Sequence, residues 1–440
     1  MTFQPLRGFR DYPPPEAGAR SELRRRMRSV ARRCGFTELE TPSVESLELF
    51  RVKSGDQISA QLWAFEDKGG RPVALAAETT PSLARVFVDR AKSEPLPVKW
   101  FTISKLWRYE EPQSGRTREF SQFNLDILGV AGIEADADVL ATAALVLDEI
   151  GAAGLYAFRV NDRPLAEGLG RHFGAGADPA PFLRALDGFR KVPREEFLRD
   201  LATAGVVEPR AGELVALLDR VGPGVPAAEA PRLLRELEAL DLPDEGREGV
   251  RRLLRLFELV HRLGLDDRVV FDPSVARGLA YYTTTVFEAF DRAGDLRSLF
   301  GGGRYDHLVE LFGGPATPAV GLAIGDQTLE LLLRAHGRWP DGEPGLDTYV
   351  IAVTPAEVPL AAEWVERLRR AGVSADGDLM ARSMSKQLKE AARRRARRAL
   401  ILGPKELARG VVVERDLATG TQRELPPEAV VPSDAGPGSA

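Results

Sequence analysis

The chain has 440 residues, 44 % of them hydrophobic, which exceeds one ordinary core and suffices to bury two or three domains. A net charge of −5 excludes coating of nucleic acid through overall basicity and leaves only a local basic patch open. No run of about 18 uninterrupted apolar residues occurs, and the N-terminus MTFQPLRGFRDYPPP has no apolar centre of a secretory signal, so a cytoplasmic location without membrane association is expected.

After Arg7-Gly8-Phe9-Arg10-Asp11-Tyr12 and three prolines, Leu23, Met27, Val30 and Ala31 recur at helical spacing within Glu16 to Arg33, with arginines over the other face and Gly35 as the cap. Cys34 is the sole cysteine, and His172, His261, His307 and His336 are scattered without ligand spacing, so neither a disulfide nor a structural metal site is expected. Phe36 to Glu40 alternates as a strand and stops at Thr41-Pro42, because proline cannot donate to a ladder. Leu62 to Phe65 and Val73 to Leu75 flank the turn formers Asp67-Lys68-Gly69-Gly70 and read as a hairpin. Glu78-Thr79-Thr80 follows; by itself Glu78 reads equally as an acid favoured by the dipole of a helix starting near Pro81.

The stretch that organises the chain is Arg108 to Gly129, RYEEPQSGRTREFSQFNLDILG. A strand ending in Arg108-Tyr109-Glu110 leads through Pro112 to Gly115 into Arg116 to Phe120, and Phe123 to Leu128 alternates apolar and polar residues, the pattern of a β-hairpin with an arginine-rich loop. Arg116 and Arg118 beside Arg108 can hold a polyphosphate through bidentate hydrogen bonds, whereas the plain alternative is a solvated hairpin tip. Gln122, Asn124 and Asp126 fall on one strand face, as the lining of a pocket would.

These residues resemble motif 2 of the class II aminoacyl-tRNA synthetases, and the run RYE-PQ-GR-REF-Q resembles its histidyl-tRNA synthetase form. The resemblance implies that Arg108 holds the α-phosphate of ATP and Arg116 the γ-phosphate, with Glu110 in the same ATP site, and that Gln122 and Asp126 line a histidine pocket. It implies that Glu78 and Thr80 bind the substrate ammonium, although Ala76 and Ala77 replace the arginine and proline usual before them, a departure expected to loosen or reshape that loop while leaving the ammonium ligand. The helix and strand of Glu16 to Pro42 resemble motif 1, the family's dimer interface.

Further on, an alanine-rich helix spans Asp136 to Gly151, Ala157 to Val160 reads as a strand, and Arg163 to Arg268 reads as helical throughout, with breaks at Gly222-Pro223-Gly224 and Leu242-Pro243. Val269 to Tyr282 returns to strand character and ends in Arg277-Gly278-Leu279-Ala280-Tyr281-Tyr282. That ending resembles the first histidine signature, in which the arginine contacts carboxylate and phosphate and the second tyrosine contacts the imidazole; the usual aspartate is Ala280. Thr284 to Phe290 is a β-branched strand, and Leu299 to Asp306 reads as a glycine-rich turn resembling the second signature, whose tyrosine is Tyr305. Ala319 to Leu333 reads as strand, turn and helix and resembles motif 3, except that Gly325-Asp326-Gln327-Thr328 carries a threonine where the family has an arginine.

Asp341 to Gly345 reads as a linker, followed by strands at Tyr349 to Val353, Ala399 to Gly403 and Val411 to Val413 with a helix at Ala356 to Ala371. Arg382 to Arg398 carries eight Lys or Arg against Glu390, which is either a solvated face or, as the domain resembles the family's anticodon-binding domain, a surface for RNA phosphates. The tail from Pro426 is rich in Pro, Ala and Gly and is expected to be disordered.

The expected fold is α+β: a class II synthetase-type antiparallel sheet flanked by helices, with a C-terminal α/β anticodon-binding-type domain. Catalytic parts at 1–162 and 269–338 would enclose a helical insertion at 163–268, followed by the anticodon-type domain at 346–425 and the tail at 426–440. The expected activity is that of a homodimeric histidine-tRNA ligase using histidine, tRNA and ATP with Mg2+. Arg277 and Arg108 would be catalytic, Tyr282 and Tyr305 would join the histidine pocket, and no residue is assigned to a resident metal. Thr328, Ala280 and Ala76 leave two other readings open at this point: a silent paralogue with a regulatory or binding role, and an adenylating enzyme with a different acceptor.

Overall fold

A computed structural model describes residues 3–54, 60–276, 281–294, 296, 298–342 and 345–430. It forms two compact units, one of 1–13 with 20–340 and the other of 14–19 with 341–440.

The first unit is built on a nine-stranded sheet. In spatial order its strands are Thr37–Glu38, Val98–Trp107, Glu119–Leu128, Ala319–Gly325, Phe300–Arg304, Thr285–Asp291, Tyr156–Asp162, Val269–Phe271 and Val225–Pro226. All neighbours are antiparallel except the first pair and the pair of Tyr156–Asp162 with Val269–Phe271. Because side chains alternate across a strand, Phe123, Leu125 and Ile127 enter one core, where Leu23, Met27 and Val30 of helix Glu16–Arg33 and Val139, Leu140 and Val146 of helix Glu134–Glu149 cover the sheet. The opposite face carries Gln122, Asn124 and Asp126 beside a smaller core of Leu83, Phe87, Trp100, Tyr282 and Tyr305. The helices between Arg163 and Arg262 send their leucines into the first core.

Several elements differ from the sequence expectation. The glycine-rich run is no turn: Phe300–Arg304 is a strand inside the sheet, bonded on both edges. Its glycines serve close packing, since a Cβ on Gly302 would lie 2.6 Å from Phe287 and one on Gly303 would lie 2.6 Å from Thr285 O. The strand read as Val269 to Tyr282 is only Val269–Phe271; Asp272 turns the chain, Asn161 Nδ2 holds the carbonyls of Pro273 and Val275 at 3.0 Å, and Tyr282 lies outside the strand. The insertion is not helical throughout, because Val225–Pro226, just after the Gly-Pro-Gly break, pairs with Val269–Phe271. The hairpin strand ends at Trp107, so Arg108 to Glu110 belong to the loop, and the first strand shortens to Thr37–Glu38.

In the second unit a five-stranded sheet runs Ala375–Gly377, Thr348–Ala352, Arg398–Leu402, Val412–Asp416, Gln422–Leu425, parallel in the first three and antiparallel in the last two. Val350, Leu400, Trp364 and Leu368 form a core on one face, and Tyr349, Ile401 and Ala391 one on the other, so helices Val358–Arg370 and Met384–Arg393 cover both sides. The start of the expected disordered tail is ordered: Pro427–Ala429 forms a short helical turn and Val430 is buried. Among the described residues no helix is long and apolar enough to cross a membrane.

Candidate active site

Strands Val98–Trp107 and Glu119–Leu128 pair along their full length, so the loop between them hangs from a stiff hairpin. Arg108 N donates to Arg118 O at 3.0 Å to close its base, and Gln113 and Arg116 exchange backbone bonds at its tip, where Gly115 takes φ +76. Beside this loop lies a solvent-open cavity of about 520 Å³. Its lining brings together Glu78, Thr80, Arg108, Glu110, Arg116, Gln122 and Tyr282, along with Asn124, Tyr281, Gly301, Gln327 and Thr328.

The two cavity arginines are held differently. Arg108 Nε donates to Ala77 O at 3.0 Å and its guanidinium lies 5.3 Å from the Phe120 ring centre, so two contacts fix its plane. Arg116 is half exposed, 3.6 Å from the Glu110 carboxylate, where an arriving polyanion can compete for it. Ala76 and Ala77 do not loosen their loop. Both are buried, Ala76 N donates to Ser43 O, and Trp107 N donates to Ala76 O, both at 2.9 Å.

Asp126 and Tyr305 do not line the cavity; they are buried, with Tyr305 Oη donating to Asp126 Oδ1. Burial, then the Asp126 charge, pushes the Tyr305 phenol well above its ordinary value, which keeps it a proton-bearing donor. The Tyr281 ring lies 6.1 Å from Tyr305 and 4.5 Å from Tyr282, which links the buried pair to the cavity wall. Tyr305 is placed by its neighbour: the buried Arg304 donates to Val130 O at 2.7 Å and Gly132 O at 3.0 Å and pairs with Asp136 and Asp306. Arg277 and Ala280 lie outside the described residues.

Arg118 is not in the cavity. Its backbone N donates to Gly8 O at 2.8 Å, its Nε to Glu110 O at 3.1 Å, and its guanidinium lies 4.3 Å from the Tyr109 ring, so it fastens the N-terminal segment to the loop. Phe9, Trp63 and Tyr109 stack edge to face along the same segment. Asn124, Tyr281 and Gln327 are among the lining residues that received no ligand role from the sequence. Asn124, whose buried Oδ1 has no partner among the described residues, was read as part of the lining face from its place between Gln122 and Asp126. Tyr281 and Gln327 gave no local signal. Among the described residues no cluster of three or more His, Cys, Asp or Glu could hold a metal.

An antiparallel sheet that carries a charged cavity on one face, between a long hairpin loop and the start of helix Asp326–Ala335, defines the catalytic domain of a class II aminoacyl-tRNA synthetase. The family model for histidyl-tRNA synthetase matches residues 8–329, and one for an anticodon binding domain matches 347–432. The chain belongs to the histidyl-tRNA synthetase family, and is an enzyme of the aminoacyl-tRNA synthetase type. Among its relatives, the histidine–tRNA ligase of Natronomonas pharaonis is 38 % identical over 437 residues, covering 99 % of this chain and 98 % of its own. That of Opitutus terrae is 40 % identical over 439 residues, covering 98 % and 97 %. The histidyl-tRNA synthetase of Nostoc sp. superposes with a TM-score of 0.85 at 25 % identity, covering 98 % of each chain. A Bacillus halodurans protein described as an ATP phosphoribosyltransferase regulatory subunit/histidyl-tRNA synthetase shares the fold, with a TM-score of 0.71 at 21 % identity over 88 % of this chain and 96 % of its own. The full-length relatives named as ligases favour the ligase over a silent paralogue.

Proposed function

We propose that this chain joins histidine to tRNA in two steps. The histidine carboxylate attacks the α-phosphorus of ATP, pyrophosphate leaves, and histidyl-adenylate forms; a terminal ribose hydroxyl of tRNA then attacks the acyl carbon and AMP leaves. The observation that supports this best is the cavity itself, which combines two guanidinium groups, Arg108 and Arg116, with the carboxylate of Glu78 in one polar enclosure. Arg108 is assigned the α-phosphate, Arg116 the γ-phosphate and Glu110 the same nucleotide site, with Mg2+ arriving on ATP as part of the substrate. Oriented cations of this kind stabilise charge that develops in the transition state. Glu78, Thr80 and Gln122 are assigned the ammonium, and Asp126, Tyr282 and Tyr305 the imidazole end, with Tyr282 at the cavity wall and the hydrogen-bonded Asp126–Tyr305 pair buried behind it. Arg277 is assigned the gap between carboxylate and α-phosphate on the strength of its sequence motif. A polar pocket of this type rejects apolar amino acids because its buried partners would be left unpaired.

The same reading makes the chain a cytoplasmic homodimer with a C-terminal domain that holds tRNA. The apolar face of helix Glu16–Arg33 is used up inside the protomer, so the contact falls to the sheet edge at Thr37–Glu38 and the 39–43 segment after it. A large interface of this kind persists at micromolar concentration, and sedimentation giving a monomer mass there would remove it. Histidine-dependent exchange of labelled pyrophosphate into ATP tests the first step and tRNA charging the second; a chain that exchanges with no amino acid is not a ligase of this type.

A further inference from the structure

The first turn of helix Asp326–Ala335 borders the cavity, and all three of its side chains are engaged. Asp326 accepts from Arg20 Nη1 at 2.5 Å and from Ser121 N at 3.0 Å. Gln327 Nε2 donates to Asp326 at 3.0 Å and to Tyr12 Oη at 3.3 Å. Thr328 Oγ1 donates to Leu299 O at 2.7 Å, while its own-helix acceptor, Gly325 O, is at 3.5 Å. A helical threonine ordinarily bonds back to its own preceding turn; here the stronger bond crosses to the residue that enters strand Phe300–Arg304.

The methyl of the same threonine meets the hairpin loop. A Cβ on Gly115 would lie 3.3 Å from Thr328 Cγ2 and 3.4 Å from Leu331 Cδ1, so the space between the loop backbone and these helix side chains would be filled by a single methyl group. Gly115 also needs its positive φ to turn the tip there, and the next residue is Arg116.

We propose that Thr328 is a positioning residue that seats the Arg108–Arg118 loop on the first helical turn and ties that turn to the cavity floor, at the place where the family's motif 3 carries an arginine. The cationic hold on the polyphosphate then comes from Arg116, whose direction is set by the seat of Gly115. The inference deepens the ATP-binding reading above and rests on it. An arginine at position 328 finds the helix anchored through Arg20, Ser121 and Tyr12, so the loop is what yields, and Arg116 moves with it. Restoring the family residue therefore harms nucleotide binding in this chain.

The test compares Thr328→Arg, Thr328→Ser and the parent in histidine-dependent pyrophosphate exchange. Thr328→Arg raises the KM for ATP about tenfold or more with the KM for histidine within about twofold, and Thr328→Ser, which keeps the bond to Leu299 and loses the methyl facing Gly115, raises the KM for ATP by less, about two- to threefold, with that for histidine unchanged. An ATP KM in Thr328→Arg equal to or below the parent's overturns the proposal. A second arm reads the seat without turnover: amide hydrogen exchange over 113–117 is faster in Thr328→Arg and, to a smaller extent, in Thr328→Ser, which lacks the methyl facing Gly115. Gly115→Ala, which disturbs the contact from the loop side and leaves the helix intact, gives the same acceleration and stands in where Thr328→Arg does not fold. Unaltered exchange in these variants overturns the seating whether or not the enzyme is active, whereas a parent that catalyses no pyrophosphate exchange counts against the ligase reading alone.

Discussion

At the scale of single residues, a strand's period decides what a sequence reveals. Gln122, Asn124 and Asp126 were legible as one face because the pleat fixes alternation, and Gly321 opposite Asp126 leaves the carboxylate room to lie over the neighbouring strand. Arg118 was misread because charge in a loop does not say which way the side chain turns. Tyr305 was legible only through resemblance, since its partner is 179 positions away. That pair gives a residue-scale prediction. Tyr305→Phe removes a donor from a buried carboxylate and costs about 1–3 kcal/mol of stability, readable as a lower denaturation midpoint. It also raises the KM for histidine while the KM for ATP holds. A variant with parent stability and parent histidine KM would show that the hydroxyl supports neither the carboxylate nor the pocket.

Whole elements were legible where local pattern and environment agree, as in helix Glu16–Arg33, and illegible where they conflict. Three successive glycines resemble a turn to any local rule, yet in Phe300–Arg304 they form a strand because strands on both sides bond to it and leave no volume for side chains. Gly302→Ala places its methyl against Phe287 and the Gly321 carbonyl, and overpacking of this kind costs about 1–3 kcal/mol or more, to be measured by chemical denaturation. The clasps of the first and motif 3 helices carry a pH signature. Hydrogen bonds from Arg25 and then Arg26 hold the Glu22 carboxyl down to about 2 from its ordinary 4.5, and Arg28 lowers Glu38. Burial pushes Glu330 up, but Arg334, Arg20 and Arg10 outweigh it and its value is also lowered. Folded-state values below the unfolded ones mean that the unfolded chain binds more protons as acid is added, so this stability is present above about pH 4.5 and is lost toward about pH 2. Thermal midpoints followed through that window should fall, and Glu22→Gln should flatten the fall; a slope identical to the parent's would mean that the Glu22 clasp contributes nothing.

For the molecule as a whole, βα alternation is local and was readable in the C-terminal chain, but the strand order of the nine-stranded sheet is not, because its pairings join segments more than a hundred residues apart, such as Glu119–Leu128 with Ala319–Gly325. The same limit applies to charge. Counted along the sequence, 382–398 is a basic stretch; folded, it is largely neutralised. Arg382 pairs with Asp378, Arg393 with Glu390, Arg395 with Asp341, Arg398 with Glu414, and Arg394 and Arg397 lie 3.1 Å from Asp376 and Asp347. Lys386 and Lys389 are exposed on helix Met384–Arg393 and form no ion pair among the described residues. A cation already paired to a carboxylate must give up that partner to meet a phosphate, whereas an unpaired lysine gains the contact outright and releases a counterion from the RNA. Lys386→Ala with Lys389→Ala should therefore weaken tRNA binding and lower the slope of log affinity against log salt by about one to two, since each lost phosphate contact removes about one from it. Arg394→Ala with Arg397→Ala should change affinity much less, and pyrophosphate exchange in the absence of tRNA should be untouched by either pair. Filter binding across a salt series decides between them: if the two arginines matter as much as the two lysines, neutralisation by neighbouring aspartates does not govern which cations meet RNA.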